Sequence, residues 1–396
     1  MPDDTGFAIA GLEAFHVAFR DEPGYWEEYR RDEVSARTER FEFRPGWRTV
    51  YARSVETALV RVRLADGAIG WGEANAPIGP EVCALILESL LLPMARGREF
   101  GHPVELWDLL YDALRGRGHS SGFYQDAMAG LDVGVWDALG RREGLPVAAM
   151  LGGEPRRSLP VYLSGIRRAT LAERVEHINR WVEKGLRGAK IFLTGDVDAG
   201  AAELEGLQRG APELEQWMVD TLWSCDRDSA REGKRVYGDL GVRFFECPLV
   251  PEDLEGHREL VAHPGAPIAL GEHFHAHYQT AEWFREPRGL DVFQPDIGRT
   301  SLSDAMRQMA DAKAAGIPTT PHMGAGTSVL QSATLQFATL AAPDYLQEYQ
   351  AGLAGRGASL FDSGWRYADG AVALPDRPGL GVEVHEAELG RYVVRG

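Results

Sequence analysis

Apolar and polar residues alternate over residues 56–64 (ETALVRVRL) and again over 68–74 (AIGWGEA), with Ala65-Asp66-Gly67 between them. That pattern predicts a two-stranded hairpin. The rhythm then lengthens. Over 104–116 (VELWDLLYDALRG) and 124–140 (YQDAMAGLDVGVWDALG) apolar residues recur at helical spacing, until Leu151-Gly152-Gly153 breaks the pattern. Residues 20–50 mix charge and aromatics without a period, and read as a long, partly mobile loop of the kind that covers a site. Residues 1–155 thus predict an α+β capping unit.

From about residue 156 the texture changes to short β-rich runs separated by amphipathic stretches. The runs are 159–165, 188–194, 217–220, 242–246, 268–272, 291–296, 317–322 and 345–349. Helical patterns lie between them, such as 171–184 (LAERVEHINRWVEK) and 302–316 (LSDAMRQMADAKAAG). Eight strands with intervening helices carry the signature of a (β/α) barrel over residues 156–362. Residues 363–396 read as turns and a strand returning to the capping unit.

Composition narrows the partners. Charged residues make up 26% of the 396 and hydrophobic ones 44%, ordinary values for a globular protein with a large core. The net charge of −17 disfavours nucleic acid and anionic membranes, which need a basic patch. Cys83, Cys225 and Cys247 are too few and too scattered for a disulfide framework. The acidic start has no basic segment followed by an apolar run, and no apolar stretch approaches 18 residues, so a cytoplasmic location is expected.

The ionisable residues carry the chemistry. Asp220, Glu246, Glu272, Asp296, His322 and Glu348 each fall at or near the end of a β-run, spaced 26, 26, 24, 26 and 26 residues apart. One βα unit needs about that length, so six successive strands each bring a polar group to one mouth. A single acidic group ending a strand is ordinarily a solvated cap; six in register are not. Carboxylates crowded there require a cation. Asp220, Glu246 and Glu272 form an all-oxygen set that favours Mg²⁺ over Zn²⁺. Asp296 and His322 fit a general base whose tautomer is fixed by the carboxylate. Lys190 on the second strand would stabilise developing charge.

Other residues are more ambiguous. Arg299, three residues after Asp296, is a candidate anion contact, and His275 in GEHFHAH a candidate substrate contact. The Gly-rich 324–328 (GAGTS) lacks a nucleotide fingerprint, but its backbone N–H groups suit a carboxylate or phosphate.

The pieces GLRGAKIFL, WMVD, RFFECP, IALGE, FQPDIGR, GIPTTPH and LQEYQ, with GWGEA, AGLDVGVWDALG and LGG, resemble the enolase superfamily, in particular its mandelate racemase-like subgroup. The resemblance spans nearly the whole chain and keeps the motif order. It implies a modified (β/α)₇β barrel capped by segments from both termini, and a homo-oligomer. It also implies Mg²⁺ on Asp220, Glu246 and Glu272, an Asp296–His322 dyad, and a Glu348 that donates to an enolate, protonated or sharing a proton.

Two positions depart from the subgroup. Where a second lysine usually acts as a base on the opposite face, this chain has Phe192; where an asparagine commonly contacts a substrate hydroxyl, it has Leu222. Two-base racemisation is therefore disfavoured. The expected reaction is one-base dehydration of an aldonate or aldarate, with His322 as base and then acid. The alternatives are a cycloisomerase or a racemase/epimerase acting on a sugar-acid lactone or another small carboxylate. A barrel that binds without catalysis is the reading from another class.

Overall fold

The computed structural model describes residues 6–22, 36–44, 49–75, 77–152 and 156–394. The alternating segments become strands Val55–Leu64 and Ile69–Ala74, joined through Gly67 at φ 95°, and the first pairs antiparallel with Phe7–Phe19. Helix Phe123–Glu143 lies on this sheet. The contact is at backbone distance: a Cβ on Gly72 would come within 1.9 Å of the Gly130 carbonyl. Only glycine permits that approach. The helix is buried on every side over residues 124–140, because helix Ile297–Ala314 of the barrel covers its other face.

The loop expected over residues 20–50 is in part a sheet. Ala36–Arg37, Phe41–Arg44 and Thr49–Ala52 form three short antiparallel strands. Residues 23–35 and 45–48 lie outside the described residues.

The barrel follows the expected order. Strands Ser158–Ser164, Gly188–Phe192, Gln216–Asp220, Phe245–Glu246, Ile268–Leu270 and Val292–Phe293 pair in parallel, each with the next. The seventh position is no regular strand. Thr319 and His322 make single parallel bridges to Phe293 and Asp296, because Pro318 and Pro321 supply no N–H to a ladder. Side chains help hold this segment to the last strand: Thr320 Oγ1 donates to Leu346 O at 3.2 Å, and Gln347 Nε2 to Pro321 O at 3.0 Å. Strand Gln347–Gln350 then pairs in parallel with the first and closes the ring. Seven helices alternate with these strands, and among the described residues only the short helix Glu386–Leu389 follows the eighth, the (β/α)₇β form.

Past the barrel the chain divides. The hairpin Arg366–Ala368 and Ala371–Ala373 pairs with residues 158–160 at the start of the first barrel strand. The chain meets the cap on both sides of that hairpin: Gly357 N donates to Glu22 Oε1 before it, and after it Val393 bridges Val17 and Ala18 N donates to Tyr392 O. Among the described residues no helix is long and apolar enough to cross a membrane.

Buried acids of the cap hold it to the rest. Asp132 accepts from the N–H groups of Leu302 and Ser303, restarting helix 297–314 after Ser301 turns to φ 72°. Asp137 accepts from Trp71 N and Leu380 N. These bonds satisfy the orphan donors that helix starts and turns expose.

Candidate active site

Parallel strands bring their C-terminal ends to one mouth, and the acidic residues gather there. Asp220 and Glu246 are ladder partners ending the third and fourth strands. Glu272 follows the fifth, after Gly271 at φ 149°. Oxygens of Asp220 and Glu246 lie within 4.8 Å of each other, as do those of Glu246 and Glu272. Lys190 Nζ sits 2.7 Å from Glu246 Oε1, 3.0 Å from Glu348 Oε1 and 4.0 Å from Asp220 Oδ2. Burial opposes its charge, but Glu246 and Glu348 hold it ionised well above the usual lysine range. Burial, then Glu246, pushes Asp220 up; burial likewise pushes Glu246 up.

One ammonium does not balance Asp220, Glu246, Glu272 and Glu348, so this cluster suits a divalent cation. Cys247 Sγ lies with Asp220 and Glu246, but burial and the adjacent anions raise the thiol well above its usual range. It stays protonated, which leaves oxygen donors for a hard ion. Backbone strain collects at the same strand ends: Leu222, Trp223 and Cys247 have φ of 48°, 62° and 48°. Leu222 N thereby donates to Asp220 Oδ1 at 2.8 Å.

His322 Nδ1 is 2.8 Å from Asp296 Oδ2, and its Nε2 is 3.1 Å from Glu272 Oε2. Burial disfavours the imidazolium, yet Glu272, Glu348 and the Asp296 bond outweigh it and push His322 up to about 10. Asp296 is also fixed by Gly298 N at 2.8 Å, at the start of helix 297–314.

A cavity opens over these groups, lined by Lys190, Asp220, Glu272, His322 and Glu348 from the barrel and by Tyr51, Glu56 and Asn75 from the cap. Arg299 lines it too, with Asp126 at 3.9 Å. His275 is not among the lining residues: its Nε2 accepts from Gly122 N at 3.3 Å and lies 3.3 Å from Asp126 Oδ1. The alternating histidines do not converge. Burial holds His273 neutral, down at about 3, against Trp223 and Trp283, while His277 Nδ1 pairs with Asp304. The stretch 324–328 divides: Gly324 and Ala325 line the cavity, while Thr327 is engaged from the cap. Glu73 accepts from Thr327 N, Thr327 Oγ1 and Leu330 N at 2.8, 2.6 and 2.9 Å.

Residues 173–388, more than half of the chain, match the family described as Enolase C-terminal domain-like, and residues 34–152 match the Mandelate racemase / muconate lactonizing enzyme N-terminal domain. The chain belongs to the enolase superfamily, in its mandelate racemase-like subgroup. Its curated relatives include D-galactarolactone cycloisomerase of Agrobacterium fabrum, 27% identical over 84% of this chain and 90% of that one. Another is arabinonate dehydratase of Saccharolobus solfataricus, 25% identical over 85% of this chain and 91% of that one. A crystal structure of an enolase superfamily member from Agrobacterium tumefaciens superposes with a TM-score of 0.89 at 30% identity, covering 97% of this chain and 98% of that one. Members of the superfamily use Mg²⁺.

The resemblance gives Glu348 a proton of its own or a shared one. Here burial pushes it up, but Lys190 and His322 outweigh burial and lower it below the ordinary carboxylate range. It accepts from Met323 N at 2.9 Å and pairs with Lys190, so Lys190 is the donor of that pair. Residue spacing missed the cap's contribution. Glu56 lines the cavity and takes bonds from His16, Ser54 and Arg40 at 2.9, 2.8 and 2.9 Å. The available signal for Asn75 was its two-residue phase with Glu73 along GWGEA.

Proposed function

We propose that this enzyme removes the proton α to the carboxylate of a sugar acid and expels the β-oxygen from the resulting enolate. The observation that carries this reading is the one-sidedness of the site. His322 and Asp296 supply a base on one side, while Phe192 and Leu222 line the cavity where a second base and a hydroxyl contact are usual. A base on one face supports elimination and works against two-base racemisation.

Asp220, Glu246 and Glu272 would hold Mg²⁺. When bound, the ion supplies Lewis acidity that stabilises the second negative charge as the α-proton leaves. Engaging Glu272 in a ligand set frees His322 Nε2 from its nearest anion, and the imidazole returns toward the neutral base. Nε2 takes the α-proton, and the Asp296 carboxylate stabilises the imidazolium through Nδ1. The same proton then passes to the departing β-hydroxyl. Lys190, held charged between Glu246 and Glu348, faces the substrate carboxylate and donates to it. Arg299 suits a second anionic or hydroxyl-rich end of the substrate.

Cycloisomerisation is the second reading, favoured by the relative named D-galactarolactone cycloisomerase. There the leaving oxygen stays tethered and mass is conserved. The test is a panel of aldonates, aldarates and their lactones, screened with semicarbazide for new keto groups and by mass spectrometry. Loss of one water supports dehydration, and conserved mass supports cycloisomerisation. No new keto acid from any panel member contradicts the sugar-acid reading.

A further inference from the structure

The strand Ile69–Ala74 points alternate residues the same way, and Asn75 follows Glu73 at the two-residue period. Glu73 caps the barrel helix Ser328–Ala338 through Thr327 and Leu330. Asn75, one step further, reaches the dyad. Its Nδ2 donates to Asp296 Oδ2 at 3.1 Å, the same oxygen that lies 2.8 Å from His322 Nδ1.

Two glycines make room for that approach. A Cβ on Gly298 would meet Asn75 Cβ at 2.4 Å, and one on Gly324 would meet Asp296 Oδ2 at 2.7 Å and Asn75 Nδ2 at 3.0 Å. Turning the amide over would set Oδ1 against the Asp296 carboxylate, acceptor against acceptor, so its orientation is fixed. Asn75 is only 4% exposed and lines the cavity, and its Oδ1 is buried without a partner. A buried amide oxygen left unbonded carries a cost that a ligand donor would remove.

We propose that Asn75 completes the site from the cap in two ways: its Nδ2 positions Asp296, and its Oδ1 accepts a hydrogen bond from a substrate hydroxyl. This rests on the α-proton chemistry proposed above. The cap strand thus adds a bond to a base whose two members the barrel already holds together.

The test compares N75D and N75A as Mg²⁺-loaded enzymes, on whichever of D-galactonate, arabinonate and D-galactarolactone the wild type turns over fastest. N75D keeps an acceptor but loses the donor to Asp296. Its kcat should fall roughly 10–100-fold, the usual effect of removing such a support, with KM within about twofold. N75A loses both groups, so kcat should fall similarly and KM should rise about 3–10-fold. Mg²⁺ affinity and Tm are measured on each. Wild-type kcat in N75D, unchanged KM in N75A, or kcat losses matched by loss of Mg²⁺ affinity would overturn the assignment. Should N75D not fold, N75S, too short to reach Asp296, carries the same expectation for kcat. α-Proton exchange separates the two claims. A wild type that removes no α-proton, either by exchange or with turnover, contradicts the proposed chemistry, whereas N75D removing it as fast as wild type contradicts only the role of Asn75.

Discussion

Asp296 and His322 meet twice: their side chains lie 2.8 Å apart, and their backbones form a parallel bridge. The base is therefore set by the barrel wall and not by a free loop. A catalytic pair held on rigid elements keeps its geometry within the tolerance that proton transfer needs.

Replacing His322 by Asn should lower kcat by about 10²–10⁴-fold while leaving Mg²⁺ affinity near the wild-type value. D296N should cost less, roughly 10–100-fold, because the imidazole remains but loses its orienting acceptor. Steady-state kinetics with isothermal titration of Mg²⁺ checks both. An active H322N would remove the dyad from the mechanism.

Glu246 touches both the ion site and Lys190, so E246Q should weaken Mg²⁺ at least as much as loss of an outer-shell partner does, roughly 10–100-fold. Chelator should abolish turnover of the wild type, and added Mg²⁺ should restore it. Undiminished Mg²⁺ affinity in E246Q would move the ion elsewhere.

Phe192 leaves no lysine on the second face, so any solvent deuterium returned to recovered substrate should sit in the retained configuration. Chiral chromatography of substrate recovered from ²H₂O reads this. Deuterium in the inverted epimer would show a second base that the lining residues do not reveal.

Glu56 ties cavity to cap. Burial pushes its carboxyl up, but His16, Ser54 and Arg40 outweigh burial and hold it at about 2, below its ordinary 4.5. A carboxyl depressed on folding stabilises above its unfolded value, and that stability is lost as pH falls through the folded one. E56Q should thus be less stable at neutral pH by about 1–3 kcal/mol, toward the lower end because Arg40 is partly exposed. The gap should close between pH 4.5 and 2. Urea unfolding of both proteins measures it; a gap independent of pH would deny Glu56 its charge.

Much of this was legible before any coordinates. The register of Asp220, Glu246, Asp296 and His322 follows from the length of a βα unit, so spacing alone brings them to one mouth. Short strands were harder: Ala36–Arg37 and Thr49–Ala52 pair only within their own small sheet, and so few residues leave no readable period. The stretch 324–328 suits an anion by its backbone N–H groups, but Glu73, which Thr327 meets, lies some 250 residues away in sequence. Glu56, and the reach of Asn75 to Asp296, escaped for the same reason. The two-residue phase with Glu73 gives the side to which Asn75 points, but what it meets there depends on how one layer docks on the other.

The account stands on one event, loss of an α-proton to His322 with the substrate carboxylate beside the carboxylate cluster. ¹H NMR of a sugar-acid substrate in ²H₂O follows that proton directly. With Mg²⁺ the wild type should lose the α-proton, by exchange with solvent or on conversion to product, and H322N or chelated wild type should do neither. Undiminished proton loss in H322N, or in enzyme stripped of metal, would contradict the account.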